Sequence, residues 1–283
     1  MAGPRRTGHP PGPRIRSAVA YGALRRGRGG ARPGGVGCGR AHEHRRGVTE
    51  QARPRRARHR APGGGAELEA DEVLFATGRT PHTDDIGLDT VGLAPGTWLD
   101  IDDACRVRGV DGGWLYAAGD VNHHALLTHQ GKYQARIAGE AIGALARGES
   151  LDTAVWGAHA TTADFQAVPQ VFFCDPEAAS VGLTAAEAER AGHRTKVVDV
   201  DMGAVPGAYL YADGYRGRAR MVVDLDGHHL LGVTFVGPGV AELLHSATVA
   251  VAGGITMDRL WHAVPCFPTI SEVWLHLMKA YRD

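Results

Sequence analysis

Arginine, glycine, proline and alanine dominate the first 65 residues so thoroughly that only the remaining chain can build a core. The stretch MAGPRRTGHPPGPRIRSAVAYGALRRGRGGARPGGVGCGRAHEHRRGVTEQARPRRARHRAPGGG holds almost no large apolar side chains. Apart from a few positions around residues 15–24 it shows neither helical nor strand periodicity. Such a segment cannot bury enough surface to offset its ordering entropy and is expected to be disordered. Its charge also sets it apart. Sixteen of the 31 basic residues lie in the first sixty positions, all of them arginine, opposed only by Glu43 and Glu50. The formal net charge of zero therefore conceals about +14 in residues 1–65 and about −14 in the rest. Three readings compete for this segment. A basic RNA-binding tail has RGRGG at 26–30 in its favour, but only Tyr21 for base stacking. An organelle transit peptide fits the Arg-rich, acid-poor bias, but the proline and glycine oppose an amphipathic helix. The third, which we favour as a hypothesis, is GC-rich coding DNA read out of frame. An uninterrupted transcript frame across codons 40–70 would count against it.

At 283 residues the chain has room for roughly two ordinary domains. Its composition, 43% hydrophobic and 22% charged, is that of a globular protein. The balanced charge argues against a nucleic-acid or membrane partner. No apolar run reaches the ~18 residues needed to span a bilayer, and no basic start followed by an apolar core marks a secretory signal. The four cysteines, Cys38, Cys105, Cys174 and Cys266, show neither CxxC nor CxxxxC spacing. No metal site and no local redox disulfide is indicated; free thiols in a reducing cytoplasm are expected.

At Glu67 the pattern changes, and a first domain is expected over residues 66–160. ELEADEVLFATGRTP predicts a buried strand over Glu72–Ala76, ending near Gly78. WLYAAGDV predicts a short strand over Trp114–Ala117 followed by a turn at Gly119-Asp120. Helical spacing of apolar residues runs from about Leu127 to Leu145, with Gly148 as the stop. The arrangement suits a ligand. Glycine lets backbone come close, the Asp120 carboxylate can accept from sugar-type hydroxyls, and a helix N-terminus offers free N–H groups to an acceptor oxygen. The bland alternative makes Asp120 an ordinary turn residue capping the next helix. His123, His124 and His129 are read as making solvent or backbone contacts.

A second domain is expected over residues 165–283. Strands are predicted at Gln170–Phe173 and Ala179–Gly182, then a short helix whose capping box is Thr184 with Glu187. RARMVVDLDGHHLLGVTFVG reads as two strands joined through Asp226-Gly227, and GVAELLHSATVAVAGG as a helix stopped by Gly253-Gly254. Such pieces form an α+β layer, an antiparallel sheet with helices on one face.

ATGRTP, LYAAGDV and LLTHQGKYQARIAG, in that order and spacing, resemble the FAD-binding segments of the pyridine nucleotide-disulfide oxidoreductases. DPEAASVGLTAAEA and LLGVTFVGPGVAELL resemble that family's dimerisation domain. The resemblance covers about residues 66–283. It implies a truncated α/β FAD/NAD(P)-binding domain followed by the α+β dimerisation domain. FAD and NAD(P)H would be the cofactors, and two copies would pair through the C-terminal domain into a homodimer. Asp120 would bind the FAD ribitol beside Gly119, the backbone of Leu127, Thr128 and His129 would face flavin O2, and Gly78, also counted among the cofactor-binding residues, would lie at the end of the nicotinamide-binding domain, where the chain crosses back to the FAD domain. The family's Gly-rich FAD loop, its redox cysteine pair and its second Gly-rich loop do not occur in this chain. Without them the first domain is expected to be poorly supported.

Near the C-terminus, PCFPTISE resembles the family's proton-handling motif, in which a histidine stands where this chain has Phe267. Phe267 cannot exchange a proton. Glu272 occupies the place of the glutamate that orients that histidine. Thr269 with Glu272 also reads as a capping box opening the last helix, and nothing in the sequence marks Cys266 as activated. The expectation is a flavoprotein passing electrons from NAD(P)H through flavin to a small-molecule acceptor other than a disulfide, quinone-like or similar. The alternative is a catalytically inactive fragment that keeps only the dimerisation module.

Overall fold

The structure, a computed structural model, describes residues 78–283 together with two short strands, β1 (Ala57–Arg60) and β2 (Glu67–Ala70). These two strands pair antiparallel, with Ala57 opposite Ala70 and Arg60 opposite Glu67. β1 thus falls inside the segment that shows no strand periodicity in sequence. The strand expected over Glu72–Ala76 lies outside the described residues. The hairpin belongs to one compact unit, Arg28–Thr80, and residues 81–283 belong to another.

In the larger unit the first part, residues 81–166, is built on one long helix and a set of turns. Helix α1 (Thr128–Ala146) buries Ile137, Ala138, Ala141 and Ala144 on one face, together with Gln130 and Gln134. It stops as expected at Gly148, whose φ is +75° and whose neighbour Glu149 donates its N–H to the Ala144 carbonyl at 2.9 Å. Ala138 packs on Leu88, Leu99, Ile101, Cys105, Val107 and Ala117, which form a small core of their own. The expected strand over Trp114–Ala117 is reduced to one isolated bridge, Tyr116 opposite Arg106, beside a second between Ile101 and Val107. Gly112 and Gly113 both take positive φ just before it, and Trp114 is exposed. A short helix, α2 (Ala163–Gln166), closes this part.

The remaining residues form a five-stranded antiparallel sheet in the order β3-β4-β7-β6-β5. The strands are β3 (Gln170–Phe172), β4 (Ala178–Gly182), β5 (Thr195–Asp201), β6 (Arg218–Asp224) and β7 (Leu230–Val236). The helices are α3 (Ala185–Arg190), α4 (Pro206–Tyr211), α5 (Val240–Ala252), α6 (Met257–Leu260) and α7 (Val273–Arg282). Strand alternation decides the layers. Ala219, Met221 and Val223 of β6 and Val233 and Phe235 of β7 face a core completed by Leu243, Leu244 and Ala247 of α5 and Val273 and Leu277 of α7. Val222 and Leu231 point the other way, where Ala188 of α3 meets them in a smaller cluster. The capping box of α3 forms as its sequence predicts: the Thr184 hydroxyl accepts from Glu187 N–H, and the Glu187 carboxylate accepts from Thr184 N–H at 3.0 Å. Gly182 ends β4 at φ +75°, where an added Cβ would lie 2.1 Å from the Leu231 carbonyl oxygen, so only glycine fits this crossing.

Candidate functional site

The turn that follows residue 118 is fixed from below by α1. Gly119 has φ +89° and ψ −156°, a conformation open to glycine but not to residues with a Cβ. Gly131 of α1 comes so close that a Cβ there would stand 3.1 Å from the Gly119 Cα. Gln134 then ties turn to helix. Its Oε1 accepts from Gly119 N–H at 2.6 Å and from Asn122 Nδ2 at 2.7 Å. Asn122 Nδ2 also donates to the Ala117 carbonyl at 3.1 Å, and its Oδ1 accepts from His124 N–H.

Beneath this lies Asp164, with no exposed surface. Its two carboxylate oxygens accept from Gln130 Nε2 at 2.9 Å and Gln134 Nε2 at 2.6 Å, and His124 Nδ1 lies 3.8 Å away. A buried carboxylate with two amide donors is a costly group made tolerable by saturation. It fixes the Gln134 amide so that Oε1 faces the turn. Neither Gln134 nor Asp164 was singled out by the sequence. The available signal was a glutamine at 134 in register with Ile137, Ala138 and Ala141 on the buried face.

The result is a rigid turn that presents Asp120 exposed to solvent. Asp120 does not cap the following helix, since the N-cap of α1 is Leu127 and no side chain caps it. The first turn of α1 carries no acidic residue. Its free N–H groups at Thr128 and His129 therefore remain open to an acceptor. The histidines have structural company. His129 Nε2 donates to the Pro169 carbonyl at 2.8 Å, His123 stacks on Trp98 with ring centroids 4.3 Å apart, and His124 tilts against Phe165. Gly78, in the unit that holds β1 and β2, is exposed with φ +121°. No group of three or more His, Cys, Asp or Glu placed to hold a metal ion occurs among the described residues.

Cys105 sits under the same helix, its thiol donating to the Gln134 carbonyl at 3.7 Å. Burial, reinforced by the Asp164 and Asp102 charges, pushes this thiol up to about 12. At pH 8 its thiolate is negligible, while Cys174 and Cys266 are exposed. Native-state alkylation at pH 8 is expected to label Cys174 and Cys266 and leave Cys105 for the denatured chain; rapid native labelling of Cys105, read by mass spectrometry, would contradict the packing. Because the folded thiol titrates above the unfolded one, Cys105 also lowers stability progressively as pH rises from about 9 toward 12.

The C-terminal segment departs from its expected local structure. Thr269 does not form a capping box with Glu272. Its hydroxyl turns back and donates to the Cys266 carbonyl at 2.6 Å, and no side chain caps the 3-10 turn Ile270–Glu272. Gly207 of α4 presses on this turn, with a Cβ there falling 2.0 Å from the Thr269 carbonyl carbon. Glu272 is left buried, its Oε2 without a hydrogen-bond partner among the described residues. Phe267 is 75% exposed. No helix among the described residues is long and apolar enough to cross a membrane.

An antiparallel sheet closed by α5 and α7 thus follows a Gly-Asp turn braced on a long helix. Residues 168–278 match the pyridine nucleotide-disulphide oxidoreductase dimerisation domain. The dihydrolipoyl dehydrogenase of Thermus scotoductus is 34% identical over 210 residues, covering 74% of this chain and 42% of that protein. The dihydrolipoyl dehydrogenase of Mycobacterium leprae is 34% identical over 208 residues, covering 73% of this chain and 41% of that protein. Among solved structures, the HOCl-induced flavoprotein disulfide reductase RclA from Escherichia coli superposes with a TM-score of 0.64 at 22% identity, covering 79% of this chain and 48% of that chain. The C-terminal part of the chain thus matches the dimerisation domain of the pyridine nucleotide-disulphide oxidoreductases and is similar to dihydrolipoyl dehydrogenases of that family. It spans about two fifths of the length of the curated relatives it matches.

Proposed function

We propose that residues 81–166 carry the ribitol and pyrimidine side of an FAD site. In the assembled protein, electrons pass from NAD(P)H through that flavin to an acceptor other than a disulfide. The observations that support this best are the exposed Asp120 on the turn that Gln134 anchors at Gly119, and the α1 N-terminus that no side chain caps. These residues fit the group: a carboxylate accepts from ribitol hydroxyls, and free helix N–H groups suit an electron-rich flavin oxygen. The groups that would hold the pyrophosphate are not among the described residues. Bound flavin supplies hydride acceptance and onward electron transfer. Gln134 and Asp164 keep the Gly119 turn from shifting. Phe267 offers an apolar wall with no proton to exchange, which argues for an acceptor that needs no thiol base. Pairing through the C-terminal domain would make the protein a homodimer.

A second reading, a catalytically silent chain that associates through its sheet domain, is favoured by one observation. The buried residues of the main core all lie within 167–278, with none from the turn or α1. The two readings separate on a flavin spectrum of the purified chain after incubation with FAD and removal of free cofactor. Near one-to-one flavin is expected. Loss of the charged acceptor in Asp120→Ala should weaken retention about tenfold or more. A folded dimer by light scattering that retains no flavin would select the silent module. If flavin is held, faster turnover of NAD(P)H with a disulfide than with a quinone would overturn the choice of acceptor.

A further inference from the structure

Helix α4 (Pro206–Tyr211) ends in three large apolar side chains that follow one another directly: Tyr209, Leu210 and Tyr211 are 76%, 72% and 51% exposed. Nowhere else among the described residues do three exposed large hydrophobics adjoin in sequence. Such a run costs free energy in water and marks a surface that something else covers. The stretch from Met202 to Ala212 carries no charged side chain, whereas Asp201 and Asp213 flank it and Arg216 stands just beyond, all three exposed. An uncharged, tyrosine-rich centre inside a charged rim is the composition of a protein–protein contact.

The helix is fixed from below. Val205 and Ala208 are buried in the main core, and Gly207 lets the backbone press on Thr269. A Cβ on Gly239 would fall 2.2 Å from the Tyr211 hydroxyl oxygen, so this ring lies over the start of α5. Tyr211 also meets Tyr215 edge-on at 5.8 Å, and the Tyr215 hydroxyl donates to the Pro238 carbonyl at 2.9 Å. Tyr209 and Leu210 therefore stand on a rigid base, and little ordering entropy is lost when they are covered.

The occupant that fits is a second copy of this chain. α4 lies inside residues 168–278, which match a dimerisation domain. The inner face of the sheet is closed by α5 and α7, and α3 packs on the other face. The rim carries both signs, in Asp213 and Arg216, so a two-fold contact can set each charge against its opposite; a rim of one sign would repel its own copy.

We propose that two copies pair about a two-fold axis at α4, with Tyr209 and Leu210 of each covered by α4 of the other. The inference rests on the pairing through the C-terminal domain proposed above and names its face. The full chain is followed by sedimentation velocity over a concentration series, without flavin. Leu210→Asp should raise the dimer dissociation constant about thirtyfold or more, the effect of losing a central contact residue, and leave the urea midpoint of the monomer unchanged because the side chain is exposed. Val155→Asp, at an exposed apolar position outside the matched domain, should leave pairing as it is. In the unaltered chain, hydrogen exchange over residues 206–212 should slow as concentration rises through the dissociation constant. A dimer that folded Leu210→Asp leaves intact, that Val155→Asp disrupts as strongly, or that gives no concentration-dependent protection over 206–212 overturns α4 as the face while the pairing stands. A chain that is monomeric throughout the series overturns the pairing and the face with it. Should Leu210→Asp not fold, the exchange measurement on the unaltered chain decides.

Discussion

Asp164→Ala is expected to cost about 2–5 kcal/mol of folding stability, because it leaves two buried amide donors without acceptors at about 1–3 kcal/mol each. Gln130 Nε2 and Gln134 Nε2 both end on this carboxylate, and Gln134 has no exposed surface through which water could replace it. Deleting one member of a buried polar set is far worse than replacing the whole set with apolar groups. The consequence is also local. Once Gln134 is free to turn, its Oε1 no longer faces Gly119 N–H and Asn122 Nδ2. Amide exchange at Gly119 should therefore accelerate in Asp164→Ala by more than global stability accounts for. Asp164→Asn keeps one acceptor oxygen but turns an amino group toward the other donor, so it should fall between wild type and alanine. Urea unfolding and hydrogen exchange check both. A loss below about 1 kcal/mol would mean that water or His124 replaces the carboxylate, and the brace assigned to it would be wrong.

What the sequence displayed of this site was its rim, not its foundation. Gly119 and Asp120 announce themselves because Gly-Asp after an apolar run is a local signal. Asp164 lies 30 positions beyond Gln134, and nothing local in TTADFQ marks its aspartate as buried. Strands behaved in the same way. β6 and β7 were readable because their ladders are paired on both sides and their apolar residues run nearly unbroken. β5, TKVVDVD, was not anticipated, although Thr195, Val197, Val198 and Val200 are β-branched. It is an edge strand with only Val198 buried, so its alternation is blurred by polar residues on both sides. The stretch Trp114–Ala117 failed in the opposite direction. Its residues are apolar, but without neighbouring strands among the described residues it makes one bridge instead of a ladder. At Thr269 the S/T-x-x-E spacing was present in TISE, and the hydroxyl nevertheless chose the nearby Cys266 carbonyl. Capping patterns specify a possible bond, and the competing local acceptor decides whether it forms.

Phe235→Ala should be the most damaging single truncation in the sheet domain, at about 4–5 kcal/mol, the upper end of what aromatic deletions cost. The reason is how little can move into the space. Phe235 stands on the central strand β7 with Ala179 of β4 opposite on one side and Ala219 of β6 on the other, and none of the three is exposed. Truncation would leave a row of three alanines across the sheet. Neighbours that small cannot fill the void by changing rotamer, so the cavity persists and its cost adds to the lost transfer energy. Above the ring, Trp274 packs edge-on with centroids 5.9 Å apart and an interplanar angle of 81°. Trp274 is tethered through Nε1 to Ser246 Oγ, so it cannot follow without breaking a hydrogen bond. Phe235→Leu retains much of the volume and should cost only about 1–2 kcal/mol. Urea midpoints give the stabilities, and the near-ultraviolet dichroism of Trp274 reports whether its packing survives. A Phe235→Ala loss no larger than that of Phe235→Leu would show that the sheet and α7 close over the gap, and the rigid seating of α7 argued from Trp274 would fall with it. Because this core closes within one chain, the loss should appear in monomer stability and also weaken any dimer by mass action, since only the folded sheet domain can pair.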